Sequence, residues 1–171
     1  MSTVSFYELK CNDEEKAVEL ADLAREIWTE HYTPIIGPEQ VEYMLSRFQS
    51  AGQILKDICS NGYRYFIAYD GAKPAGYFAV KPERDDNALF LSKFYVKKSS
   101  RGRGIGRLML DRMLRIAAEN RLDHIWLTVN KHNTVSISIY KKLGFSITEE
   151  MVTDIGNGFV MDDYKMRMDI R

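Results

Sequence analysis

Residues 99–110 read SSRGRGIGRLML, with glycines at 102, 104 and 106 set among arginines 101, 103 and 107 and apolar residues directly after. A β-rich run ends just before this stretch and a helical pattern begins within it, which predicts a turn into a helix start near Gly104. The first N–H groups of a helix have no partner inside the helix and carry the positive end of its dipole. Glycine lets the main chain approach a ligand closely and adopt conformations that a Cβ forbids. With three guanidinium groups at its rim, such a junction suits an anion bearing two adjacent charges. A pyrophosphate is the natural guest.

Upstream, YRYFIAYD and AGYFAVK are β-rich and meet around Asp70-Gly71, a hairpin signal. The polar break PERDDN leads into the run ALFLSKFYVKK, read as a third strand over residues 88–97. Downstream, Ile105, Met109, Met113 and Ile116 recur on one face of a helix, and HIWLTV begins a strand over residues 124–130. A strand, a helix and a further strand in that order predict a right-handed crossover and a parallel pair. Asn133 caps a helix running through Lys142, Gly144 sits where a left-handed C-cap belongs, and a long hairpin turns around Gly156-Asn157-Gly158.

The N-terminal part reads as a strand over residues 4–9, then a helix with Asn12 as cap and Glu15 in the capping-box position. TPIIGPEQ interrupts that helix, and Pro38 opens a second one striped by Val41, Met44, Leu45 and Phe48. A shorter helical stretch covers residues 53–59. The order β-α-α-β-β-β-α-β-α-β-β predicts one α/β domain over residues 1–171, a mixed sheet with helices on both faces.

Composition narrows the function classes. At 171 residues, with 45% apolar and 28% charged residues, the chain can bury one sizeable core. A formal net charge of zero provides no overall field for nucleic acid or an anionic membrane. No run approaches the roughly 18 apolar residues of a membrane span, and the N-terminus lacks a secretory signal pattern. Cys11 and Cys59 have neither metal-site spacing nor a disulfide-framework count, so two unpaired thiols in a reducing cytoplasm are expected, with no metal site.

The glycine-arginine stretch fits neither common nucleotide motif. Gly106 is followed by Arg107-Leu108 where a P-loop needs Lys-Ser/Thr, and its glycines miss the dinucleotide-fold spacing. Arginine-glycine RNA-binding segments are usually disordered, whereas this one runs into an apolar helix. A plain helix start with solvated arginines stays open on these residues alone. SSRGRGIGRLML resembles the acyl-CoA pyrophosphate loop of the GCN5-related N-acetyltransferases (GNAT), Gln/Arg-x-x-Gly-x-Gly/Ala, carried here by Arg101, Gly104 and Gly106. LFLSKFYVKK is similar to that family's fourth strand, and IWLTVNKHNTVSISIYKKLGF to its fifth strand and following helix, so the resemblance spans residues 89–145.

The resemblance implies a mixed sheet with a splayed parallel pair, acetyl-CoA as cosubstrate, and direct attack of a primary amine on the thioester through a tetrahedral intermediate. It places the pantetheine arm along the main chain of Phe94, Tyr95 and Val96, and the pyrophosphate on Arg101, Gly102, Arg103, Gly104, Ile105, Gly106 and Arg107. Asn133 and Lys142 join the cofactor site on the same ground. A backbone N–H around Tyr95 or Val96 is the implied donor to the thioester oxygen. Tyr140 occupies the position of the acid that protonates the leaving thiolate.

An alkylamine with a pKa near 10.4 carries a penalty of about 4.6 kcal/mol for deprotonation at pH 7, so a base is useful. Ser92 stands where several polyamine-acetylating relatives carry glutamate, and serine can position a water but is no base at neutral pH. His31, Glu30 or an acidic residue of the last hairpin are the alternatives. YFIAYDGAKPAGYFAV and FVMDDYKMRM are similar to bacterial diamine and polyamine N-acetyltransferases, and Glu149, Glu150, Asp162 and Asp163 form an acidic mouth in that reading. The expected partner is therefore a small-molecule amine, polyamines foremost, with a protein amine or a non-catalytic acyl-CoA-binding module as alternatives. The family's habits leave room for a homodimer.

Overall fold

The computed structural model describes residues 3–170. A seven-stranded sheet runs through it in the order β1-β2-β3-β4-β5-β7-β6. The strands are β1 (Val4–Glu8), β2 (Arg64–Asp70), β3 (Lys73–Glu83), β4 (Ala88–Val96), β5 (His124–Asn130), β6 (Ser146–Gly156) and β7 (Phe159–Asp169). Helices α1 (Glu14–Ile36), α2 (Pro38–Phe48) and α3 (Ala51–Ser60) precede β2, while α4 (Ile105–Glu119) and α5 (Thr134–Leu143) flank β5. The mixed α/β sheet expected from the sequence is thus present, and the short helical stretch read at residues 53–59, left out of the expected element order, is the full helix α3.

Strand alternation divides the core. Tyr77 and Ala79 of β3 face α1–α3, whereas Phe78 and Val80 face α4 and α5. Ala17, Leu20, Ala24, Ile27 and Trp28 form the buried stripe of α1, and Ile105, Met109, Met113 and Ile116 that of α4.

Two local expectations need correction, and a third needs a boundary. The N-cap of α1 is Asp13, not Asn12. Its carboxylate accepts from the Lys10 N–H at 2.7 Å and the Tyr7 hydroxyl at 2.9 Å, which closes the turn without a capping box. TPIIGPEQ separates the two helices as expected, though only at its fifth residue, because α1 continues through Pro34 to Ile36. Gly37, at φ 86°, ends α1 and starts α2, with Pro38 in the first turn as expected. Cys11 and Cys59 are joined by a disulfide, with Cα atoms 5.2 Å apart. Antiparallel pairing of β1 with β2 brings the chain after β1 beside the end of α3, a proximity that cysteine spacing does not reveal. The expected unpaired thiols, and the reducing compartment argued from them, lose their support. Among the described residues no helix is long and apolar enough to cross a membrane.

Candidate active site

Strands β4 and β5 pair in parallel only from Ala88 with His124 to Phe90 with Trp126. Beyond that point they part, so the β5-facing main-chain groups of the later β4 residues have no strand partner there. A cavity opens on each face of the sheet at the parting, and Tyr95 lines both.

The cavity on the α4–α5 face has a volume of about 310 Å³. Phe94, Val96 and Tyr140 give it an apolar wall, and Arg101, Gly102, Gly104, Ile105 and Gly106 form one end. Gly102 and Gly104 adopt φ 77° and 76°, and Gly104 caps α4 with no side chain. The helix ladder starts at the Leu108 N–H, which donates to the Gly104 carbonyl. The N–H groups of Ile105, Gly106 and Arg107 precede it, and the first turn contains no acid. An anion nest beside an unpaired strand edge fits the pyrophosphate and the amide-bearing arm of acetyl-CoA.

Other residues expected at this site lie at its rim or elsewhere. Arg103 is drawn to Asp70 at 2.6 Å, and Arg107 points along α4 to Asp111 at 3.5 Å. Lys142 is exposed in the last turn of α5. Asn133 is buried and caps α5, accepting from the Ser136 N–H at 3.3 Å. His31, an alternative base in the sequence, lies within α1 and lines the cavity on the α4–α5 face, not the one under α1–α3. Burial pushes its imidazole down, assisted by Arg101, while Asn133 pulls it up. Glu30 pairs outside with Lys98 at 3.6 Å. Tyr140 packs against Phe94 and Phe145, and burial pushes its phenol well up, so its proton stays on at physiological pH.

The second cavity, about 340 Å³, lies under α1, α2 and α3. Its floor depends on an irregularity of β4. Ala79 pairs with Lys93 and Val80 with Leu91, so Ser92 is the extra residue of a bulge. Ser92 and Lys93 consequently both line this cavity, although neighbours on a regular strand face opposite ways. Lys93 Nζ donates to Ser92 Oγ at 3.1 Å and lies against the rings of Tyr65 and Tyr63. Burial pushes the Lys93 ammonium down to about 8, with Asp57 pulling partly the other way. The buried Asp57 carboxylate is itself occupied, accepting from Gln53 and Asn61 at 2.9 Å and from Tyr65 at 3.1 Å.

Asp163 of β7 is buried and lines the same cavity across the parting. Burial and the neighbouring Asp162 raise it to about 6, against the pull of Lys131. The other acids of the expected mouth are paired on the surface: Glu150 and Asp162 with Lys131 at 3.3 and 2.9 Å, Glu149 with Lys165 at 3.5 Å. At the junction of the two cavities the Tyr32 and Tyr95 hydroxyls share a hydrogen bond of 3.4 Å. Lys93, Asp57 and Tyr32 were not singled out by the sequence. A lysine inside the otherwise apolar strand ALFLSKFYV was the available signal.

The Acetyltransferase (GNAT) family model matches residues 18–145 of this chain. A spermidine N(1)-acetyltransferase of Thermoplasma acidophilum is 26% identical over 84% of this chain and 88% of its own length. A peptidyl-lysine N-acetyltransferase, YjaB of Salmonella typhimurium, is 25% identical over 71% and 88%. The crystal structure of the PaiA N-acetyltransferase from Thermoplasma acidophilum in complex with coenzyme A shares the fold, with a TM-score of 0.77, 23% identity, and coverage of 98% of this chain and 99% of that one. The family match covers β2 to β5, the parting of β4 and β5 and the turn into α4, and the chain belongs to the GNAT acetyltransferase family.

Proposed function

We propose that this acetyl-CoA-dependent N-acetyltransferase acts on the primary amine of a small molecule held under α1–α3. The carrying observation is that two cavities on opposite faces of the sheet share Tyr95 where β4 and β5 separate. Bound acetyl-CoA supplies the activated acyl group; the chain's work is to hold, orient and move protons. The N–H groups of Ile105, Gly106 and Arg107 take the pyrophosphate, with Arg101 and Arg103 at the rim, and the β4 main chain over Phe94, Tyr95 and Val96 takes the pantetheine arm. The Tyr140 hydroxyl is the proton donor to the departing sulfur. Asp163 faces the acceptor cavity with a carboxyl near 6, is ionised at neutral pH, and accepts the proton of the incoming amine. Ser92, held at the bulge, lines the same cavity with its hydroxyl accepting from Lys93, away from Asp163.

The roof of three helices favours a small acceptor over a protein surface, although a relative is named for peptidyl-lysine. A thiol-release assay with acetyl-CoA and a panel of monoamines, diamines, amino acids and a lysine peptide tests this. Turnover of at least one small amine and none of the peptide is expected, with kcat about 100-fold lower in Tyr140→Phe at little change in coenzyme A affinity. Turnover confined to the peptide would move the acceptor outside the cavity.

A further inference from the structure

We infer that the acceptor carries a carboxylate at the end remote from its amine, and that the Lys93 ammonium holds this carboxylate. The inference rests on the amine-acceptor reading above and adds the charge of the acceptor's far end.

Lys93 is the single cationic side chain among the described residues lining the acceptor cavity. The bulge at Ser92 turns it inward, and Ser92 Oγ, a neutral acceptor, is its hydrogen-bond partner. Asp57 lines the same cavity and acts on Lys93 through space, but the two form no ion pair, and the Asp57 oxygens accept from Gln53, Asn61 and Tyr65 instead. The rings of Tyr63 and Tyr65, with centroids 6.0 and 5.3 Å away, keep the ammonium in place without neutralising it. A charge so placed in a cavity calls for an anionic guest.

The opposite pole is Asp163. Its register partner Asn130 lies on β5, and β5 stands between β7 and the free end of β4. Lys93 and Asp163 therefore rise from strands two spacings apart, roughly 10 Å at ordinary pairing distance and more across the parting. A zwitterion with its ammonium at Asp163 and its anion at Lys93 satisfies both poles. One lysine balances the single charge of a carboxylate, whereas a phosphate monoester, with a charge of about −1.5 to −2, would need a second cation. A diamine places its second ammonium against Lys93, and the surface acids that would draw a polycation are paired with Lys131 and Lys165.

Calorimetric titration of the coenzyme A-saturated protein with four amines of one six-carbon chain isolates the terminal group: 6-aminohexanoate, 6-aminohexanamide, hexylamine and 1,6-diaminohexane. The carboxylate is expected to bind at least tenfold tighter than its amide, with the diamine weakest. Lys93→Met should bring the carboxylate-to-amide ratio to about one, and Lys93→Arg should restore it, which distinguishes a charge contact from damage to the cavity. A carboxylate that binds no better than its amide, a diamine that binds best, or a ratio indifferent to Lys93→Met would overturn the inference. A carboxylate held through Lys93 yet never acetylated would uphold it and count against the transfer reading instead.

Discussion

At Asp163 the same burial that suits a base works against the fold. The carboxyl ionises near 6 in the folded chain against an ordinary 3.8, so between those pH values the folded state retains a proton that the unfolded state has lost. Stability therefore falls as pH rises through this window and stays lower above it, by on the order of 2 kcal/mol. Asp163→Asn is expected to raise Tm by about 5 °C at pH 8 and hardly at all at pH 4. It should also abolish an acidic limb of kcat/KM centred near pH 6. A limb that survives in the variant would assign the base to another group. Four acids of the last hairpin were singled out in the sequence, but only pairing selects among them. Asp163 sits opposite Asn130 and Met151 and faces inward, while Asp162, one residue earlier, reaches Lys131 outside. Side-chain direction on a strand flips with each residue, so a short acidic run cannot announce which member is buried.

The turn into α4 was legible because its chemistry is local. An anion site at a helix start needs glycines and free N–H groups in consecutive residues, and 101–107 contain them all. The bulge of β4 was not legible, because Ser92 becomes the extra residue only through its register with Ala79 and Val80 of β3, more than ten residues away. The corner after α1 was legible to within a turn. The break falls at Gly37, while Pro34 lies in the last turn of α1, where its missing N–H and fixed φ did not stop the helix. A substitution at the legible junction separates folding from binding. Gly104 has open space where a Cβ would stand, and aspartate tolerates the left-handed region and favours helix N-caps. At φ 76° the new side chain is nevertheless strained, so Gly104→Asp should fold with a Tm lower by a few degrees and place a carboxylate in the anion nest. Coenzyme A affinity by calorimetry is expected to fall at least tenfold, about 1.4 kcal/mol. Equal affinity in a folded variant would remove this loop from the cofactor site.

Across the whole molecule, one sheet carries two cores, and the parting of β4 from β5 joins the cofactor side to the acceptor side. The Cys11–Cys59 bond belongs to the acceptor side alone. It ties the turn after β1 to α3, the helix that supplies Gln53 and Asp57 to the acceptor cavity, and closes a loop with a sequence separation of 48. Loop-closure entropy assigns such a crosslink about 4 kcal/mol. Reduction, or the paired change of Cys11 and Cys59 to serine, is therefore expected to lower Tm by on the order of 10 °C. Below the transition the two faces should respond unequally. α4 and the 101–107 turn pack on the opposite core, so coenzyme A affinity should hold, while the acceptor KM should rise as α3 loosens over Asp57 and Lys93. Calorimetry for the cofactor and steady-state kinetics for the acceptor, each with and without reductant, measure the two arms on the same protein. Equal Tm in the oxidised and reduced states would mean that the bond contributes nothing to the fold. Parallel loss of both affinities would mean that the sheet transmits the change across the parting rather than confining it to one face.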